Sequence, residues 1–288
     1  MASGTEIRLS PGAMQITRAP ALPLAGLVVG KPVREVAALL PRLFNLCRMA
    51  QGAAARAALG LPPETTTADL AAEVLRDHLA ALFVTLPPLL GLAPARPPQS
   101  AIAQALFGMG GLPRNLPDLN LWLASGAGVS PLAQAVSRAF PGRMASAPAL
   151  PAPNDPLADG PYDTSLAARR AGHPLLTALE SERGRSPLWR LMVRLVDAEA
   201  CLRGDLPAVT VANGTALAPA ARGTYALRLT HAGGLVTTIT RRTPTDHLLA
   251  PGGMLHHSLM GSPPALAPLV IALHDPCEPV TLREVRHA

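Results

Sequence analysis

The sequence predicts an α+β fold that is mainly helical. Apolar residues recur at three- and four-residue spacing through most of the first two hundred positions, the repeat of helix faces packed on a core. One later stretch, "GTYALRLTHAGGLVTTITRR" (223–242), reads instead as two strands around a glycine pair, the signature of a hairpin. Of the 288 residues, 49% are hydrophobic but only 3% aromatic, so alanine and aliphatic side chains must do the packing. A chain of this length can bury on the order of three quarters of its unfolded surface, as one large domain or two smaller ones.

The elements follow in order. The short alternations "EIRLS" and "AMQIT" predict a strand or two within the first thirty residues. Residues 31–60 give the first strong helix, with Pro32 suited to its start and Gly60 to its end. Pro41 predicts a kink or break just before Arg42, because proline lacks the N–H that a helix interior needs. The second helix, "TTTADLAAEVLRDHLAALFVTL", opens on Thr66 and Asp69 at capping-box spacing. Shorter helices are expected around 99–108 and 131–140, and Pro131 after Ser130 suits a helix start. Residues 145–161, "SAPALPAPNDPLADGP" in their main part, have the composition of a linker or long surface loop. Helices resume near 172–181 and 186–203, the hairpin follows, and a last short helix near 265–273 leads into "HDPC".

The formal net charge of +6 raises the question of nucleic acid. Nearly all of the positive charge is arginine, with Lys31 the single lysine, and the arginines are scattered. No basic run is interleaved with aromatics, so no nucleic-acid surface is expected. Cys47, Cys201 and Cys277 are odd in number and widely spaced, which is no disulfide framework and points to a reducing cytoplasm. The start "MASGTEIRLS" lacks the basic and apolar regions of a signal peptide. The best apolar run, "LAALFVTLPPLLGLA", is interrupted by Pro87 and Pro88 and is too short to span a bilayer.

Taken singly, the candidate residues favour plain readings. No HExxH, CxxC, P-loop or GxSxG occurs. Cys277 alone reads as a buried or tail thiol without a role. Cys47 sits on an amphipathic helix, where Arg42 and Arg48 would lower its pKa if they point the same way. Cys201 reads as structural. His256 and His257 are adjacent, and adjacent residues do not face one ligand, so a surface pair is expected.

Several segments in order change that balance. "DPCEPVTLR" (275–283) resembles the C-terminal motif of [NiFe] hydrogenase large subunits, D-P-C-x-x-C-x-x-H, and "RLFNLCRMAQ" (42–51) resembles their N-terminal motif, R-x-C-G-x-C-x-x-x-H. "YDTSLAARR" (162–170) is similar to the E-T-G-x-L-A-R stretch, and residues 220–247 are similar to the A-P-R-G strand–turn–strand segment that ends in V-P-T-T-W-N. The resemblance covers most of the chain and implies one reduced large-subunit-like domain across 1–288, with 145–161 a linker or surface loop within it.

The departures shape the expectation. In that family four cysteines hold nickel and iron. Here Phe44 and Val280 replace two of them, leaving Cys47 and Cys277; Gln51 and Arg283 replace the motif histidines, and Pro11 stands where the proton-relay glutamate would align. Nickel is therefore not expected, since soft thiolates are what stabilise it, and no catalytic residue is assigned. The resemblance implies that Cys47 and Cys277 anchor iron. Arg222 matches the arginine that contacts one cyanide on iron, Pro244 and Thr245 the pair that holds the other, and Asp275 the aspartate beside the arginine.

This pattern resembles the HupK/HoxV group of hydrogenase maturation proteins. The expected role is a non-catalytic, cytoplasmic scaffold for iron carrying cyanide and carbon monoxide. The implied partners are a HypC-type iron-carrying chaperone, a HypD-type assembly protein and, further along, the hydrogenase large subunit. A metal-free protein that recruits maturation chaperones is the alternative. The position of Cys277 near the end of the sequence suits ligand exchange by a movable tail, and no C-terminal processing is expected because the motif histidine is replaced by Arg283.

Overall fold

The computed structural model describes residues 4–10, 12–44 and 46–284; Pro11 lies outside the described residues. Strands β1 (Thr5–Ser10) and β2 (Ala13–Thr17) pair antiparallel, as their alternation predicts, and β1 sends Ile7 and Leu9 into the core. A further strand at the other end of the chain, Val280–Glu284, adds to β1 in parallel, so both ends share one three-stranded sheet. The expectation of a movable tail is corrected by this pairing. The cysteine segment is tied down on both sides, by a helix before it and a strand ladder after it.

The helix read over 31–60 is two helices. Helix α1 (Leu24–Val28) precedes it; α2 (Val33–Leu39) stops at a 3₁₀ turn, Leu40–Arg42, and α3 begins only at Arg48 and runs to Ala58. Pro41 breaks the chain there because its ring displaces a helical hydrogen bond. Helix α4 (Thr67–Ala80) starts on the expected capping box, with both reciprocal Thr66–Asp69 bonds formed, and passes through a π turn (Ala81–Thr85) into the Pro87–Leu90 turn. Next come α5 (Ile102–Phe107), α6 (Leu116–Ser125) and α7 (Ser130–Ala139). Helix α6 was not expected, although Asn115 caps it and Pro117 lies in its first turn. Residues 148–161 form no regular element, yet Leu157 is buried, so this stretch wraps the surface.

Helices α8 (Leu166–Arg170), α9 (Pro174–Arg183) and α10 (Pro187–Arg203) follow. Helix α10 is buried along most of its 17 residues, and the indole N–H of Trp189 donates to the Leu176 carbonyl at 2.9 Å. The β unit is larger than the expected hairpin. Strands β3 (Thr210–Ala212) and β4 (Thr215–Ala220) add to β5 (Gly223–Ala232) and β6 (Leu235–Arg242) in one antiparallel sheet of order β3-β4-β5-β6. The run "TALAPA" escapes a strand reading because it is buried on both faces and so lacks alternation. Helices α11 (Pro244–Leu248), α12 (Met254–Met260) and α13 (Ala267–His274) lead to β7, the Val280–Glu284 strand.

Two apolar cores result. One gathers α5–α10 and α12–α13 with Ile7 and Leu9. The other lies between α1–α3 and the four-stranded sheet, where buried Ala50, Ala53, Ala54 and Ala55 let α3 lie close on β4 and β5. Leu75 on α4 packs against both cores. The fold class is α+β as expected. No helix among the described residues is long and apolar enough to cross a membrane.

Candidate functional site

The two cysteines at opposite ends of the sequence line one cleft of about 870 Å³, together with Gln51, Arg222, Pro244 and Thr245. Five of the six residues singled out from the sequence thus share it. The sixth, Asp275, stands behind Arg222 and grips it.

Local folding explains each placement. Cys47 is the N-cap of α3 and adopts a left-handed conformation, φ 53°. Its own side chain does not cap the helix. Glu73 of α4 does so instead, accepting from the Met49 and Ala50 N–H groups at 2.9 and 3.2 Å, which leaves the thiol free to face the cleft. Arg222 sits in the β4–β5 turn, followed by Gly223 at φ 138°; a Cβ on Gly223 would lie 2.0 Å from the Thr164 carbonyl oxygen, so only glycine fits. Thr245 follows Pro244 in the first turn of α11, which Thr243 and Asp246 hold in a capping box. The Cys277 N–H donates to Thr245 Oγ1 at 2.9 Å. Asp275, the C-cap of α13, is also left-handed at φ 54°. Two non-glycine residues in this region at one site store strain of about 1–3 kcal/mol each, which the surrounding fold must over-determine.

Arg222 is the hub. It donates from Nε to the Asp275 carbonyl at 3.1 Å, from Nη2 to Asp275 Oδ1 at 3.2 Å, from Nη1 to Asp77 Oδ2 at 3.1 Å and toward Cys47 Sγ at 3.7 Å. Behind it, Asp275 Oδ2 accepts from Arg194 Nη1 at 3.2 Å. His78 Nδ1 lies 3.4 Å from the same Arg194 nitrogen, and its Nε2 is 2.8 Å from Asp197 Oδ2. Asp197 also accepts from Arg169 at 2.8 and 2.6 Å and from Arg170 at 2.7 Å. Arg169 returns to the hub through the carbonyls of Ala220 and Gly223, at 2.9 and 3.0 Å, and so braces the turn that carries Arg222.

The electrostatics follow from burial and these pairs. Burial pushes the Cys47 thiol up to about 11, opposed by the Arg222 guanidinium and the Ala221 backbone. This corrects the expectation that Arg42 and Arg48 would lower it: Arg48 Nε donates to the Phe44 carbonyl instead, at 3.2 Å. Burial also raises Cys277, opposed by Thr245 and Arg222. Burial alone would raise Asp275, but Arg194 and Arg222 outweigh it and hold the carboxyl below the usual carboxylate range. Arg222 is raised: burial works against its charge, and Asp275, Cys47 and Asp77 more than compensate.

Other candidates fall elsewhere. Cys201 is buried in the second core, where burial pushes its thiol up to about 12, as a structural residue requires. His256 and His257 are half-buried on α12 rather than a surface pair, with ring centroids 5.8 Å apart. Arg283 is exposed and donates to Glu6 at 2.7 Å. Gln51 lines the cleft: its Nε2 donates to the Leu46 carbonyl at 3.1 Å, and its Oε1 is buried without a partner among the described residues. Asp77, His78, Arg169, Arg194 and Asp197 were not anticipated. A signal for part of the network exists, since Arg190, Arg194 and Asp197 are polar residues at one helical face of an otherwise apolar stretch.

The soft donors of the cleft are the thiols of Cys47 and Cys277, and the carboxylates of Asp246 and Glu278, both paired with Arg18, line it as well. Among the described residues no three His, Cys, Asp or Glu side chains are grouped to hold a metal ion. Neutral thiols must lose protons to bind one, and the Arg222 charge beside Cys47 favours that loss.

No protein-family model matches the chain. It is similar to a hydrogenase expression/formation protein HupK of Rhodobacter capsulatus, with 46% identity over 286 residues, covering 96% of this chain and 95% of that protein. Agreement of this extent along nearly the full length of both shows that the chain belongs to the HupK family of hydrogenase expression/formation proteins.

Proposed function

We propose that the protein acts in hydrogenase maturation as a non-catalytic scaffold with a reduced large-subunit-like fold. Its cargo is iron carrying cyanide and carbon monoxide, held during assembly and passed on. The observation that carries this reading is the convergence on one cleft of two thiols with Arg222 and Thr245.

The chemistry of these residues fits such a cargo. A soft low-spin iron favours thiolate attachment, and Cys47 and Cys277 supply two. Cyanide nitrogens accept hydrogen bonds, and a guanidinium donates them well. Arg222, fixed by Asp275 and Asp77, supplies one donor. Thr245 Oγ1 already accepts from the Cys277 backbone, which leaves its own hydroxyl proton to donate to another acceptor. Arg241 lines the cleft without a carboxylate partner among the described residues and favours an anionic guest, whereas Arg18 is paired there with Asp246 and Glu278, and Arg242 with Asp159. The partners of this role are maturation factors, a HypC-type iron-carrying chaperone and a HypD-type assembly protein, with the hydrogenase large subunit as recipient.

The test is an infrared spectrum of the protein purified without oxygen from a host that makes the cyanide and carbonyl ligands. Bands of metal-bound cyanide and carbon monoxide should be present, and both should vanish in Cys47→Ala or Cys277→Ala. A blank spectrum from intact protein that still captures its maturation partners would replace this reading with a metal-free recruiting protein.

A further inference from the structure

A second, smaller cavity lies behind the cleft. It offers about 40 Å³, enough for a few atoms, given that one water needs about 10–15 Å³ on that measure. It borders the cleft through Arg222, Pro244 and Thr245, which line both. Its remaining walls are mostly apolar, including Leu166, Val193, Leu248, Met254 and Leu273.

Arg190 is the anomaly in this wall. Its Nε and Nη2 are buried and have no hydrogen-bond partner among the described residues. Those two nitrogens are enclosed, while the residue as a whole keeps intermediate exposure and lines the cavity through its other atoms. The carboxylate that acts on it, Asp163, is committed elsewhere: Arg185 Nη1 donates to it at 2.8 Å, and Ser165 Oγ at 2.6 Å. The carboxylate on the chamber wall, Asp275, is taken by Arg194 and Arg222. Three guanidiniums therefore line the chamber against one carboxylate, and since Arg222 also holds Asp77, the charge left without a partner is that of Arg190.

His274, also on the wall, gives no negative charge. Its Nε2 lies 2.9 Å from Ser258 Oγ, and burial beside Arg190 keeps it neutral at ordinary pH. An unpaired buried guanidinium is costly, and water would satisfy its N–H groups without balancing its charge.

We propose that this chamber is a binding site for a small monovalent anion, a halide or a linear pseudohalide, with Arg190 as its principal donor. The small cavity favours a small anion, the apolar walls strengthen the charge–charge attraction, and the Arg190 charge, which no carboxylate of the chamber balances, draws the anion to its side. The inference does not depend on iron binding in the cleft, and its test uses metal-free protein.

The probe is sodium azide with the full chain in chelator-treated, halide-free buffer, read by the azide infrared stretch. Native protein should show a shifted, saturable band and a melting temperature that rises with azide. Both should survive in Cys47→Ala, which separates this site from the cleft thiols. In Arg190→Met the dissociation constant should rise at least tenfold. Should that variant not fold, Arg190→Lys, which keeps the charge but loses the planar fork, must also weaken azide at least tenfold. Displacement by millimolar chloride would assign the site to halides, and resistance to it would assign it to linear anions. No saturable band in native protein, meaning water only, or undiminished affinity in a folded Arg190 variant would overturn the proposal.

Discussion

Asp275→Asn isolates the charge that links Arg222 to the buried network. Asparagine keeps the shape of the side chain and tolerates the left-handed backbone at φ 54°, so neither packing nor strain should change much. The two arginines are affected unequally. Arg222 keeps Asp77 at 3.1 Å, whereas Arg194, with its side chain 3% exposed, keeps only the His78 ring nitrogen at 3.4 Å. The loss is therefore that of a broken buried pair at Arg194. Such losses run at about 3–5 kcal/mol; we expect about 3, since Asp275 is itself 21% exposed and the amide oxygen can still accept one bond. Urea unfolding of the metal-free protein at pH 7 measures it. Arg194→Met added to Asp275→Asn should recover at least about half of the loss, because it removes the stranded cation. The folded Asp275 pKa is depressed, so its contribution is complete above the unfolded value of about 4 and fades as pH falls through the lower folded value. Native and variant stabilities should therefore converge in acid. A loss within about 0.5 kcal/mol of zero, or no recovery in the double variant, would refute this account of the network.

Three more outcomes follow from the same geometry. Cys47→Gly should be more stable than Cys47→Ala by about 1 kcal/mol in urea, because glycine adopts φ 53° without the Cβ penalty. Alkylation of Cys47 by iodoacetamide, followed by peptide mass spectrometry, should be slow at pH 7 and speed up about tenfold per pH unit toward the thiol pKa of about 11; a rate flat above pH 8 would contradict a buried neutral thiol. Arg169→Met should cost about 2 kcal/mol, since Asp197 keeps Arg170 and His78, yet it should abolish the cyanide and carbonyl bands by loosening the Arg222 turn. Retention of those bands would show that Arg222 holds its place without the brace.

The features legible along the chain were mostly local. Pro41 breaks a helix, Thr66 and Asp69 close a capping box, and paired glycines turn a hairpin, because each is settled by neighbours a few residues away. Helix α6 and strand β4 were less legible: the first has weak amphipathic contrast, and the second is buried on both faces. The cysteine motifs and the residues around Arg222 and Thr245 were visible as patterns. Their meeting was not, since it depends on alanine-faced α3 packing on the β4–β5 sheet and on β7 joining β1 in parallel. The charge network depended on tertiary structure most of all. Asp77, Arg194 and Asp197 lie on helices α4 and α10, and each is an ordinary charged residue until those helices pack and remove it from water. Burial makes a charge demand a partner, and burial is decided by the whole fold rather than by spacing along the chain.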